Sequence, residues 1–77
     1  MTIKKINEDA YIKTITAEGH NYDIIAMKNI KGHWFYGVVR DGKDRHLSKP
    51  GAYMDSKKEA YQKYPILKKI DGMDGLP

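Results

Sequence analysis

The sequence has no cysteine, one tryptophan, one phenylalanine and three prolines. Without cysteine it can form neither disulfides nor thiolate metal sites, and a reducing, cytoplasmic compartment is the expectation. Long apolar runs are missing too. No stretch approaches the ~20 residues of a membrane-spanning helix, and MTIKKINEDA lacks the apolar core of a secretory signal. No membrane partner is expected. His20, His33 and His46 stand at no metal-ligand spacing. Asp41, Asp44 and Asp55 do not follow the alternate-position pattern of a calcium loop. No glycine-rich phosphate loop opens a helix. The expectation is a protein with no metal, no cofactor and no catalytic residues. A small ribonuclease would use His46 with Arg40, Arg45 and Tyr53 as acid/base and phosphate clamp, but nothing in the spacing selects it.

What the chain does have is charge, unevenly placed. Residues 28–69 carry eleven Lys/Arg against four acids, whereas residues 1–27 carry three against four, and the net charge is +4. A basic block favours an anionic partner, nucleic acid being the commonest. A lysine-rich solvated surface is the plainer explanation of the same numbers. The length, 77 residues, suits one small domain. Residues 1–70 are expected to form it, with 71–77 a flexible tail.

Alternation and β-branched content predict strands over residues 11–17, 22–28 and 33–40. Turns are expected at 18–21 and 29–32. Asp41-Gly42 has the signature of a two-residue type I′ hairpin, leading to a short strand over about 43–48. Ser56-Lys57-Lys58-Glu59 reads as a capping box for a helix from about 57 to 64, with Ala60, Tyr61 and Tyr64 on its inner face. Pro65 ends or kinks it. Ile66, Leu67 and Ile70 then make another helical turn or a closing strand. The expected fold class is α+β: an antiparallel sheet of about four strands with one short helix packed on one face.

Loop lengths set register, and register sets faces. Pairing Ala17 with Tyr22 and Lys28 with His33 puts Ile15, Tyr22, Ile24, Ala26, Phe35, Gly37 and Val39 toward the helix. The opposite face then carries Trp34, Tyr36, Val38, Arg40, Lys43 and Arg45, a mixture of aromatics and cations suited to stacking and phosphate contact. In the opposite arrangement Trp34, Tyr36 and Val38 are core and Phe35 is outside, so which of Trp34 and Phe35 faces the core is the deciding question.

Residues 34–61 resemble a known pattern. Trp34–Val39, the Arg40-Asp41-Gly42-Lys43 turn, Gly51-Ala52-Tyr53 and Ser56-Lys57-Lys58-Glu59-Ala60 are similar to the arm-type DNA-binding domains of tyrosine integrases and to the plant ethylene-response-factor domain. Both families lay the exposed face of a three-stranded sheet in the DNA major groove. The resemblance implies a nucleic-acid-binding role for Trp34, Tyr36, Arg40, Lys43 and Arg45. The same topology occurs in antitoxin domains that bind protein. The expected function is therefore a small non-enzymatic module binding DNA through its exposed sheet face. The alternative is a protein-interaction module, such as a phage or mobile-element inhibitor or adaptor, or a homodimer formed by edge-strand pairing.

Overall fold

The computed structural model describes residues 2–42 and 53–77. Four strands succeed one another: β1 (Thr2–Asn7), β2 (Ala10–Ala17), β3 (His20–Lys28) and β4 (Trp34–Arg40). They form one antiparallel sheet in the order β1-β2-β3-β4. Two short helices follow, α1 (Lys57–Lys63) and α2 (Pro65–Lys69). The fold is a small α+β arrangement, with two helices where one was expected. β1 was not foreseen. The strand expected over 43–48 lies outside the described residues. Among the described residues, no helix is long and apolar enough to cross a membrane.

The turns explain the register. Glu18 and Gly19 both take positive φ, 51° and 78°. That closes a two-residue hairpin in which Ala17 opposes His20. The sequence expectation was a four-residue turn. An error of two leaves side-chain parity intact, so Ile15, Tyr22, Ile24 and Ala26 do share a face. The next loop differs by one. Asn29 accepts hydrogen bonds on Oδ1 from the N–H groups of Lys31 (2.9 Å) and His33 (3.0 Å), while its own N–H donates to His33 O. With Gly32 at φ 81°, this makes a five-residue loop, and Lys28 opposes Trp34 rather than His33. One residue of shift inverts β4.

The inversion corrects the predicted faces. Ala26 opposes Tyr36 and Ile24 opposes Val38, so Trp34, Tyr36, Val38 and Arg40 share the face of Ile24. Phe35, Gly37 and Val39 belong to the other face. Trp34 and Phe35 are both half-buried, so their exposure does not separate them. Their neighbours do. The Trp34 ring lies 5.8 Å from Tyr11 and packs against the buried cluster, whereas Phe35 meets the ring of exposed Tyr53 edge-on at 5.3 Å.

The core is one buried cluster. It joins Ile15, Tyr22, Ile24, Ala26, Tyr36 and Val38 to Met54, to Ala60 of α1 and Leu67 of α2, and to Met73 and Leu76. Met54 also exchanges both backbone hydrogen bonds with Tyr36, at 2.8 Å each, along the outer edge of β4. Ser56 caps α1 as expected, its Oγ accepting from Glu59 N–H at 3.1 Å. The reciprocal bond differs: Glu59 Oε2 accepts from Asp55 N–H, not Ser56 N–H. Tyr64 ends α1, and Pro65 opens α2, where its missing N–H costs nothing.

Residues 71–77, expected as a flexible tail, are packed instead. Met73 and Leu76 are buried. The segment meets every strand. A Cβ on Gly75, which sits at φ 84°, would come within 2.6 Å of Ile3 in β1. Lys13 of β2 donates through Nζ to the carbonyls of Asp71 (3.2 Å) and Asp74 (2.6 Å). A Cβ on Gly72 would touch Ile24 of β3 at 3.4 Å. Tyr36 of β4 donates its hydroxyl to Pro77 O at 2.5 Å. Glycine and methionine allow this close approach, since neither imposes a branched Cβ.

Candidate functional site

The residues implied in nucleic-acid binding do not form a set on the open sheet face. Trp34, Tyr36 and Arg40 lie on the core side. Tyr36 is buried, with its pKa pushed up by that burial. Lys43 and Arg45 lie outside the described residues. The open face carries Ile12, Thr14, Thr16, Asp23, Ile25, Met27, Phe35 and Val39. Its polar groups bond to one another: Thr14 Oγ1 donates to Asp23 Oδ1 (3.0 Å) and Thr16 Oγ1 to Asn21 Oδ1 (2.9 Å). Among the described residues Lys4 is its one cation, and Asp23 offsets it. The residues suggested for a ribonuclease are also divided, since Arg40 is on the core side and Tyr53 packs on Phe35 of the open face.

The positive charge sits elsewhere. The two helices carry five lysines against one acid, Glu59. Two recesses adjoin them. One, of about 360 Å³, is lined by Lys58, Tyr61, Gln62 and Lys68. The other, of about 380 Å³, lies between the helix junction and the ends of β3 and β4. Arg40, Lys63, Tyr22 and Tyr64 line it, over a floor of Val38, Pro65 and Ile66. A third, larger recess lies at the opposite end of the sheet, where its cation, Lys28, is paired with Asp9 at 3.4 Å. Each of the two helical recesses combines two cations with at least one tyrosine.

No family model, curated protein or solved structure matches this chain. Its functional reading therefore rests on these surfaces. Beside the second recess, His20 Nδ1 and Asp41 Oδ2 are 2.7 Å apart, and Asp41 Oδ1 accepts from Asn21 N–H at 2.8 Å. The backbone N–H of Asn21, followed by the His20 ring, holds the Asp41 carboxyl below its ordinary value of 3.8. Sequence reasoning missed this pair because the two residues are 21 apart. Register was the available signal: once Tyr22 opposes Arg40, residues 20 and 41 must be close. His33 is also engaged, its Nε2 lying 2.9 Å from Asp55 O. Among the described residues, no group of three or more His, Cys, Asp or Glu side chains could hold a metal ion.

The Asp41 contact has a testable sign. Its folded pKa lies below the unfolded one, so its stabilisation is present above about pH 4 and is lost as pH falls through the lowered folded value. Asp41→Asn keeps a side chain that tolerates the left-handed conformation at φ 54°. In urea unfolding, the parent should exceed Asp41→Asn in stability at about pH 7, and the gap should close at about pH 2. A gap independent of pH would show that the charge is not what matters.

Proposed function

We propose that the protein is a non-enzymatic nucleic-acid-binding module and that it binds through the helical side rather than the open sheet face. One observation carries this reading: both recesses beside α1 and α2 pair cations with tyrosine, Lys58 and Lys68 with Tyr61, and Arg40 and Lys63 with Tyr64. Cations on phosphates release condensed counterions, and tyrosine faces stack on bases whatever their sequence. In this reading the helices form a layer over one sheet face, and that layer presents the charge. The open face, without a cation cluster among its described residues, has little to offer a polyanion.

The test is fluorescence anisotropy with labelled single-stranded and duplex oligonucleotides at about 50 mM and about 200 mM salt. Roughly four phosphate contacts predict a log–log salt slope near −3. Lys58→Glu combined with Lys68→Glu should flatten that slope and weaken binding. Absence of binding to either oligonucleotide at about 50 mM salt rejects the reading.

Protein association by strand addition is the second reading, and β1 favours it. Every residue of β1 is exposed, including Ile3 and Ile6. Its outer edge has no strand partner among the described residues, whereas the β4 edge is bridged by Met54. Two-fold pairing of β1 with its own copy, centred on Lys4 or Lys5, would oppose two ammonium groups, which is unfavourable. An extended segment bearing acidic residues fits this edge better. The same titrations separate the readings, since salt-sensitive oligonucleotide binding favours the first and its absence removes it.

A further inference from the structure

The geometry points to the recess at the helix junction as a nucleotide site: it takes one unstacked nucleotide of a single strand, phosphate on Arg40 and Lys63, base against Tyr64. This rests on the nucleic-acid reading above and narrows it from nucleic acid in general to a single strand.

The first observation is the state of Arg40. Its sequence neighbour Asp41 feels its charge, but the two Asp41 oxygens contact other groups, one His20 and one Asn21 N–H. Arg40 is exposed and has no ion pair among the described residues. Its planar guanidinium lines the recess, and such a fork matches two phosphate oxygens at once. Lys63 adds a second, point-like charge on the same recess.

The second observation is shape. The recess is concave, about 380 Å³, with Tyr22, Tyr64, Pro65, Val38 and Ile66 supplying flat or apolar wall. That is within the roughly 300–1,000 Å³ of small-ligand sites. The Tyr22 ring is buried and meets His20 edge-on at 6.3 Å. A base can enter such a recess only when it is out of its helical stack. Duplex DNA offers phosphates but keeps its bases stacked, whereas a single strand offers both. The other helical recess is lined by one aromatic, Tyr61, with Lys58, Gln62 and Lys68, and by no aliphatic side chain among the described residues. It suits a phosphate of the same strand better than a base.

The experiment has two arms. In the first, adenosine 5′-monophosphate, adenosine and inorganic phosphate are titrated separately into ¹⁵N-labelled protein. The monophosphate should shift the amides of Tyr22, Arg40, Tyr64 and Ile66, and each half-ligand alone should shift them less at equal concentration. In the second, Arg40→Gln should weaken single-strand binding about tenfold and lower the salt slope by about 1, with a smaller loss on duplex. Arg40 is exposed, so Arg40→Gln should keep the parent melting temperature; Lys63→Gln gives a second, independent variant. If the monophosphate shifts none of these amides, or if both variants bind single strands as the parent does, the recess is not a nucleotide site. In that outcome oligonucleotide binding by the parent still upholds the broader reading, and its loss to Lys58→Glu with Lys68→Glu locates the interface on the other recess.

Discussion

Lys13→Ala is expected to cost about 3–5 kcal/mol, from truncating a buried long side chain and losing its charge-assisted hydrogen bonds. The side chain is 0% exposed, and its ammonium bridges the carbonyls of Asp71 and Asp74. A 77-residue domain has only about 4–12 kcal/mol to lose. The melting temperature should therefore fall by roughly 15 °C or more. Two losses combine. Truncation to alanine removes the apolar stem from the core and leaves a cavity. It also strips Asp74 O of its donor, while Asp71 O keeps the N–H of Asp74 at 3.0 Å. Lys13→Met separates the two, because methionine refills the stem. It should cost only about 1.5–3 kcal/mol, the loss of hydrogen bonds from a charged donor to part-buried carbonyls. If both variants melt with the parent, the ammonium contacts contribute nothing.

The pH dependence of the same residue has a defined sign. Burial pushes the Lys13 pKa below its ordinary 10.5, against the opposing pull of Asp74 and Asp71. Between the lowered value and 10.5 the unfolded chain holds more protons, so stability rises with pH across that interval. Tyr36 acts in the other direction. Its pKa is raised above 10.0, so its contribution is lost as pH rises beyond that point. Lys13→Met lacks the first effect and retains the second. The parent should therefore gain on Lys13→Met as the solution is made alkaline, measured as the difference in urea midpoint.

A chain stopped at residue 70 should fail to fold cooperatively. Met73 and Leu76 are each worth roughly 1.5–3 kcal/mol when buried. The deletion also removes the acceptors of Lys13, Tyr36 and Lys57, the last bonded to Leu76 O at 2.5 Å. Leu67 and Ile24, both fully buried, would be uncovered. Together these losses match the whole expected stability of the domain. Circular dichroism should show no sigmoidal melt, and amide resonances should collapse toward the unfolded range. A truncated chain that melts cooperatively within a few degrees of the parent would show that residues 71–77 merely rest on a sheet that folds without them.

These residues also show where sequence reasoning stopped. The strands that alternate, ITIT-like and aromatic, were legible because period-two patterning survives in one chain. Ser56 was legible because capping is local. β1 was not: TIKKIN has its isoleucines three apart, on an exposed edge where burial imposes no alternation. The 29–33 loop was misjudged by one residue because the Asn29 side chain, bonding to two later N–H groups, lengthens it in a way composition does not display. That single residue moved Trp34, Tyr36 and Arg40 from one face to the other, and with them the candidate site. The 71–77 segment looked like a tail because Gly72 and Gly75 are usual in tails; here they are what lets the backbone approach Leu67, Ile24 and Ile3.

The strap across the sheet has a consequence for the order of events during synthesis. The hairpins are local and can close as soon as they emerge, whereas Lys13 finds its acceptors only 58 and 61 residues later. Until then a nascent sheet would carry a solvated ammonium on the face that becomes its core. Long loops of this kind slow folding, because chain entropy is surrendered before the contacts form. The same charge has a benefit in that interval. It makes the half-built apolar face a poor template for a neighbouring chain, and so acts as a built-in solubiliser that is withdrawn only when the last segment arrives.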